Sequence, residues 1–426
     1  MIAVVGGGIT GLALGWELAQ RGVDFVVFEA SSRPGGVIRS AEVDGRILDW
    51  GPQRVRLTRR VTQLVDAVGL TDQVVQAPDG LDLFVYRGGR LRKVPFSAGA
   101  FLTSDVVSTA AKLRLALEPF TAAADPEERV SEYFSRKIGR ELYETLVAPL
   151  YGGLYGSDPA DMQVKLSLIH VLREFGIRRS LILPLLMRGG RVQPPPACTF
   201  RDGMKTLPAA LGRSLGDRLR LDAPVHALRS EGAGWRLDLD DGAWEAEAVV
   251  LTTPAPVTAR LLADAAPAAA LAVGSLRYNP LAVVHLHADT ALRGLGFQVA
   301  FTEDDLALRG VTFNDSLFGR RNLYTAYLGG ARHPEVAEMG EDALARRGVD
   351  EFRRCTGYDA RALAVEYERM PAWDVTWQAL NALELPAGLH LAANWWTRPG
   401  LPGRLAEADR TARLLAGAPV GTRARG

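Results

Sequence analysis

Gly6, Gly8 and Gly11 stand in G-x-G-x-x-G register within "VVGGGITGLA". An apolar run, Ile2 to Val5, precedes them, and "LALGWELAQRG" follows with helical apolar spacing that ends at Gly22. Strand, tight turn and helix in that order are the context in which such glycines hold a dinucleotide. Gly6 permits the turn, Gly8 lets the backbone approach a pyrophosphate, and Gly11 lets helix and strand pack closely. The first N–H groups of the helix then face the phosphates. A second apolar strand, "DFVVFEA", runs into Glu29, roughly 20 residues on, where a carboxylate bonds ribose hydroxyls and disfavours a 2′-phosphate. FAD or NAD fits that pattern; NADP does not. Beyond it, "ASSRPGGVIRS" supplies the cation Arg33 and the pair Gly35 and Gly36, whose N–H groups can reach the diphosphate of an extended cofactor.

Other catalytic chemistry is sparse. No Ser/His/Asp triad or paired acid is apparent. Cys198 and Cys355 are the only cysteines, which excludes a disulfide framework and fits a reducing compartment. His285 and His287 share one face of a strand in "LAVVHLHAD", but no carboxylate or thiol nearby completes a ligand set, so no metal is expected. With 50 Lys and Arg against 49 Asp and Glu, no basic field recruits nucleic acid.

These groups need a scaffold of several units, since 426 residues exceed one ordinary core of about 150. Ile2 to Val5 already reads as the first strand, so a secretory leader is not expected. Residues 81–95 read as a hairpin turning at Gly88 and Gly89, and 97–188 as helices punctuated by Pro119, Pro149 and Pro159. The prolines at 194–196 read as a stiff linker, followed by the helix "TLPAALGRSLG" and several strands. Residues 275–370 alternate strands and helices, and "GLHLAANWWTRPGLPGRLAEADRTARLLAG" closes with strand, loop and helix. The fold class expected is α/β: a Rossmann-type FAD-binding domain interleaved with a mixed-sheet substrate domain and an inserted helical subdomain. Segments 1–75, 191–272 and 371–426 are assigned to cofactor binding, 76–96 and 273–370 to the substrate domain, and 97–190 to the helices.

The run from Glu29 to Ser40 resembles the E-x-x-x-R-x-G-G-x-x-x-S pattern of the flavin amine oxidase superfamily, where it marks FAD. Within that superfamily the whole chain resembles the protoporphyrinogen and coproporphyrinogen oxidases. "VAPLYGGLYGSDP", "TFRDGMKTLPAAL", "GVTFNDSLF" with "YLGGARHPE", and "MPAWDV" carry that likeness in family order. The resemblance implies oxidation of a porphyrinogen by hydride transfer to FAD, with dioxygen reduced to hydrogen peroxide, in haem synthesis. It adds Gly51 and Pro52 along the flavin ring, the backbone of Val225 at the adenine, and Trp373, Asn394 and Leu401 to the cofactor set. Leu83, Phe297, Phe313 and Asn314 are the substrate-pocket candidates. Flavin N5 takes the hydride, so no catalytic side chain is assigned.

Two departures stand out. Where the family commonly has an Arg to pair with a propionate, this chain has Leu83, and Arg54, Arg87 or Arg90 are its alternatives. Trp395 and Trp396 stand in a C-terminal loop that is glycine-rich in the family, implying a bulkier wall near the flavin. Rival readings are an amine oxidase, a carotenoid desaturase-like enzyme and a non-catalytic flavin-binding protein. The amine oxidase reading wants a lysine near the flavin, and no Lys follows Lys205. The apolar run Leu181 to Met187, flanked by Arg178, Arg179, Arg188 and Arg191, is broken by Pro184 and too short to span a membrane. It suits peripheral contact at the inner face of the membrane by a cytoplasmic protein. A homodimer stays open.

Overall fold

The computed structural model describes residues 1–187, 195–232, 234–397 and 399–417. Arg188, Arg191, Pro194 and Arg398 lie outside the described residues.

The amino-terminal strand β1 (Ile2–Val5) leads through the glycine turn into helix α1 (Ile9–Gln20) and then strand β2 (Phe25–Phe28). Both strands are apolar at every position because both faces of their sheet are covered. That sheet is parallel, ordered Leu219–Arg220, β2, β1, Ala248–Leu251 and Leu389–Leu391. On one face Val4 and Val27 meet Leu12 and Leu18 of α1, Leu211 and Leu405. On the other, Val5 and Phe28 meet Leu237, Leu262 and Trp395. Strands from three separated stretches of chain thus converge at one carboxyl edge, where ligands bind in open α/β sheets.

A second sheet of seven strands is ordered Arg361–Pro371, Tyr278–His287, Leu323–Gly329, Leu308–Phe313, Gly296–Val299, Leu83–Arg87 and Arg90–Lys93. All its pairings are antiparallel except Leu83–Arg87 with Gly296–Val299. The hairpin from 83 to 93 turns at Gly88 and Gly89, whose φ values of 57° and 78° fit a two-residue turn of type I′. One face of this sheet packs on the helix Glu341–Thr356 through Leu344, Phe352 and Cys355. The opposite face turns toward the stretch 39–54: Trp50 lies edge-on to His285 at 5.4 Å, and Gln53 accepts a hydrogen bond from Asn314.

Short helices fill 98–187 around a core of Val106, Val130, Tyr133, Met162 and Val164. A fully buried ion pair pins this subdomain, with Lys137 Nζ 3.0 Å from Glu118 Oε1. Glu118 also accepts hydrogen bonds from Ser180 Oγ (2.5 Å) and the Leu181 N–H (2.9 Å). Among the described residues no helix is long and apolar enough to cross a membrane.

Candidate functional site

The glycine turn is built by close approach. Gly6 has φ 110°, and a Cβ there would stand 2.7 Å from Thr252 Oγ1, which donates a hydrogen bond to the Gly6 carbonyl. A Cβ on Gly11 would stand 1.9 Å from the Gly6 carbonyl oxygen, so only glycine lets α1 begin there. At Gly8, by contrast, a Cβ would meet nothing within 4 Å: open space lies over the N-cap of α1. No side chain caps that helix, and its first turn carries no acid, so its leading N–H groups are left for an anion.

Glu29 closes the turn from β2. Its Oε2 accepts from the Gly7 N–H at 2.6 Å and its Oε1 from Ser31 N–H and Oγ at 2.9 and 2.6 Å. Arg33 folds back on its own loop, donating to the Gly36 carbonyl at 2.8 Å and the Ile38 carbonyl at 3.3 Å. Burial, then the neighbouring Arg39, lowers its pKa. Gly35 N–H donates to the Gly7 carbonyl at 2.8 Å, and a Cβ on Gly36 would approach Gly8 Cα to 3.3 Å. The two glycine loops therefore form one cradle. Gly51 (φ 75°) and half-buried Pro52 follow the hairpin of Arg39–Val43 and Arg46–Trp50. Val225 opens the strand Val225–Glu231, two residues past the Ala223 N–H, which donates to the Glu29 carbonyl at 2.9 Å.

The C-terminal candidates stand apart from the cradle in sequence. Trp373 is half-buried, has φ 53° and stacks on Trp377 at 5.3 Å. A bulky residue with positive φ is a strained position of the kind found at functional sites. Asn394 has a buried Oδ1 with no hydrogen-bond partner among the described residues. Leu401 is buried at the first position of the helix Leu401–Leu415, so only its backbone is placed to face a ligand. Trp395 is fully buried and donates its indole N–H to the Thr253 carbonyl at 3.0 Å: it fills the core between sheet and loop. Trp396, half-buried and edge-on to it at 6.1 Å, is the tryptophan of that pair which keeps accessible surface.

Strand register divides the substrate candidates. Leu83 pairs with Gly296, which pairs with Thr312, which pairs with Thr325 and then His285; this row lies on the face turned to Trp50. Asn314 joins it, donating to Thr325 Oγ1 at 2.8 Å and Gln53 Oε1 at 3.1 Å. Phe297 and Phe313 belong to the other face. They are 2% and 0% exposed, lie 6.1 Å apart edge-on and pack with Tyr324 and Phe352 under the helix Glu341–Thr356. Their assignment to the pocket is corrected: alternation along the strand sends Gln298 and Thr312 to the face turned to Trp50 in their place.

Sequence reasoning missed several groups on that face. His285 is buried, its Nδ1 lies 3.1 Å from Thr325 Oγ1, and burial, followed by Arg320, pushes its pKa down to about 4. Tyr327 and Glu368 share the face, and burial raises the pKa of each. An alternating strand pattern gives no sign of which face is which until the pairing is known. Lys205 lies elsewhere, exposed in a groove with Arg33, Arg39 and Trp50. His285 and His287 gain no partners for a metal: among the described residues no group of three or more His, Cys, Asp or Glu could hold one.

Residues 9–416 match the model of the flavin containing amine oxidoreductase family. The chain belongs to that family. It is accordingly a flavin-dependent oxidoreductase, and the open space at Gly8, the uncapped α1 and the orphaned Asn394 Oδ1 fit such a group. Among curated proteins it is 27% identical over 433 residues to protoporphyrinogen oxidase 2, chloroplastic/mitochondrial, of Arabidopsis thaliana, covering 89% of this chain and 85% of that one. Among solved structures it is similar to one from Exiguobacterium sp. 255-15 provisionally assigned as a protoporphyrinogen oxidase (TM-score 0.79, 22% identity, 97% and 98% of the two chains). A cofactor-binding mutant of putrescine oxidase shares the fold (TM-score 0.70, 16% identity, 98% of each chain).

Proposed function

We propose that this flavoenzyme binds FAD and oxidises a porphyrinogen, protoporphyrinogen IX or coproporphyrinogen III, to the porphyrin. The observation that carries the reading is coverage: a relative named protoporphyrinogen oxidase aligns with 89% of the chain, so the likeness is not confined to the cofactor-binding segments. When bound, FAD supplies the hydride acceptor and passes the electrons to dioxygen, giving about three peroxides per porphyrin. The protein's part is placement. Glu29 would hold the ribose, and the N–H groups of α1 and of Gly36 the diphosphate, with the Gly35 N–H spent on tying the two loops together. Gly51, Pro52, Trp373, Asn394 and the start of the Leu401 helix would border the ring, with Val225 at the adenine. Leu83, Gln298, Thr312 and Asn314 would wall the substrate, excluding water from the reacting carbon.

The absence of any lysine after Lys205 weighs against an amine oxidase. Peripheral membrane contact belongs to the same proposal, because Leu183 is 47% exposed close to exposed Arg178 and Arg179. Liposome flotation at low salt checks it, and protein that stays at the bottom of the gradient refutes it. The function itself is tested with flavin-loaded protein under air, following porphyrin fluorescence and peroxide together. Enzyme-dependent porphyrin with about three peroxides per product is expected. Rates no greater than autoxidation with both porphyrinogens refute it.

A further inference from the structure

We infer that Arg54 is the anion contact of the substrate chamber and grips one carboxylate of the molecule bound there. The chamber is the proposed substrate face that bears Leu83, Gln298, Thr312 and Asn314, so the inference rests on that reading of the site. Arg87 is held by Glu141 at 2.8 Å and the Val106 carbonyl at 2.9 Å, and Arg90 by Asp105 at 2.7 Å. Arg320 is held by Asp49 at 2.6 Å, and Arg39 pairs with Glu366. Arg54 has no such partner among the described residues.

Its neighbours set where that unpaired charge stands. Arg54 is exposed, and the residue before it, Gln53, is buried and accepts a hydrogen bond from Asn314 at 3.1 Å. Asn314 also donates to Thr325, so the chain at Arg54 runs along the sheet face that bears Thr312 and Thr325. Burial, with Arg56 adding to it, lowers its pKa, but a guanidinium stays charged at neutral pH. A guanidinium with no carboxylate partner in the protein keeps its donors available to an anionic ligand. The planar fork of donors matches a carboxylate in bidentate fashion, which a lysine would not.

Position says which molecule carries the anion. Arg54 follows Gly51 by three residues and neighbours Tyr327, on the face of the seven-stranded sheet that bears Thr312 and Thr325. The diphosphate cradle lies at Gly6–Gly11 and Gly35–Gly36, built on the other sheet. The strands Leu323–Gly329, Leu308–Phe313 and Gly296–Val299 carry no acidic residue, and the acids on this face, Glu366 and Glu368 of the strand Arg361–Pro371, face Arg39. Leu83 lies three strands further along the same face as an apolar surface, so the ligand class is an amphipathic carboxylate with its apolar body along the sheet.

The test titrates flavin-loaded wild type, Arg54→Leu and Arg54→Lys with coproporphyrin III and with its tetramethyl ester, reading perturbation of the flavin spectrum. Wild type should prefer the acid. Arg54→Leu should lose roughly 10- to 100-fold in affinity for the acid and little for the ester, with unchanged flavin content, and Arg54→Lys should fall between. Unchanged acid affinity in Arg54→Leu overturns the inference, as does loss of flavin from that variant, which would make Arg54 a cofactor ligand. Should Arg54→Leu fail to fold, Arg54→Gln takes its place under the same criteria. A wild type that binds neither porphyrin refutes the porphyrinogen reading alone. Oleate and methyl oleate then decide Arg54, and absence of an Arg54-dependent preference for the acid overturns it.

Discussion

Glu29 has a double duty that its position alone would not disclose. Its carboxylate holds Gly7 N–H and Ser31, so it shapes the turn before any cofactor arrives. Glu29→Gln keeps the volume but weakens charge-assisted acceptance, and it should lower flavin occupancy after gel filtration by a factor of several; unchanged occupancy would deny its ribose role. His285 gives a pH signature. Its folded pKa, about 4, lies below the ordinary 6.5, so the unfolded chain takes up a proton first as pH falls. Stability should drop between about pH 6.5 and 4 by up to about 3 kcal/mol from this group, and His285→Asn should flatten that part of the profile. Equal slopes in urea melts of both proteins would contradict this. The glycines and Glu29 were legible because each answers a local backbone or charge requirement. Phe297 and Phe313 were misplaced because side-chain direction depends on register, which is set by strands far away in sequence.

Elements were legible where punctuation was strong: the Gly88-Gly89 hairpin, the helix Thr206–Leu215, and β1 with α1. The helical insertion was legible as helical but not in what holds it. Nothing in the local pattern pairs Glu118 with Lys137, because their meeting depends on tertiary packing. Burial works to raise the Glu118 pKa, but Ser180, the Leu181 N–H and Lys137 outweigh it and hold it below the ordinary value. Removing either partner leaves a buried charge, so Lys137→Met should cost about 3–5 kcal/mol, while Glu118→Leu with Lys137→Met should cost distinctly less. Thermal melts of the wild type, Lys137→Met, Glu118→Leu and the double variant decide between that pattern and simple additivity. The Ser180–Leu181 anchor also fixes where the arginine-flanked stretch begins, linking a core charge to the proposed membrane contact.

At the scale of the molecule, family membership and the interleaved sheets explain why a cofactor and a substrate face can meet. Strands from near residues 2, 25, 219, 248 and 389 share the parallel sheet, so a ligand at its edge ties distant parts of the chain together. Flavin that binds only folded protein should stabilise it by about 2.7 kcal/mol at a free concentration a hundred times its Kd, seen as a rise in Tm over the stripped protein. No rise on reloading would mean the cradle is not the cofactor site. The central claim, hydride transfer from a porphyrinogen, is tested most directly without oxygen. Flavin-loaded protein is mixed anaerobically with protoporphyrinogen IX or coproporphyrinogen III, and the visible flavin absorbance is followed. Bleaching within one turnover, with porphyrin fluorescence rising in step, is the result predicted. A flavin that stays oxidised with both porphyrinogens, yet bleaches with dithionite, would contradict the account.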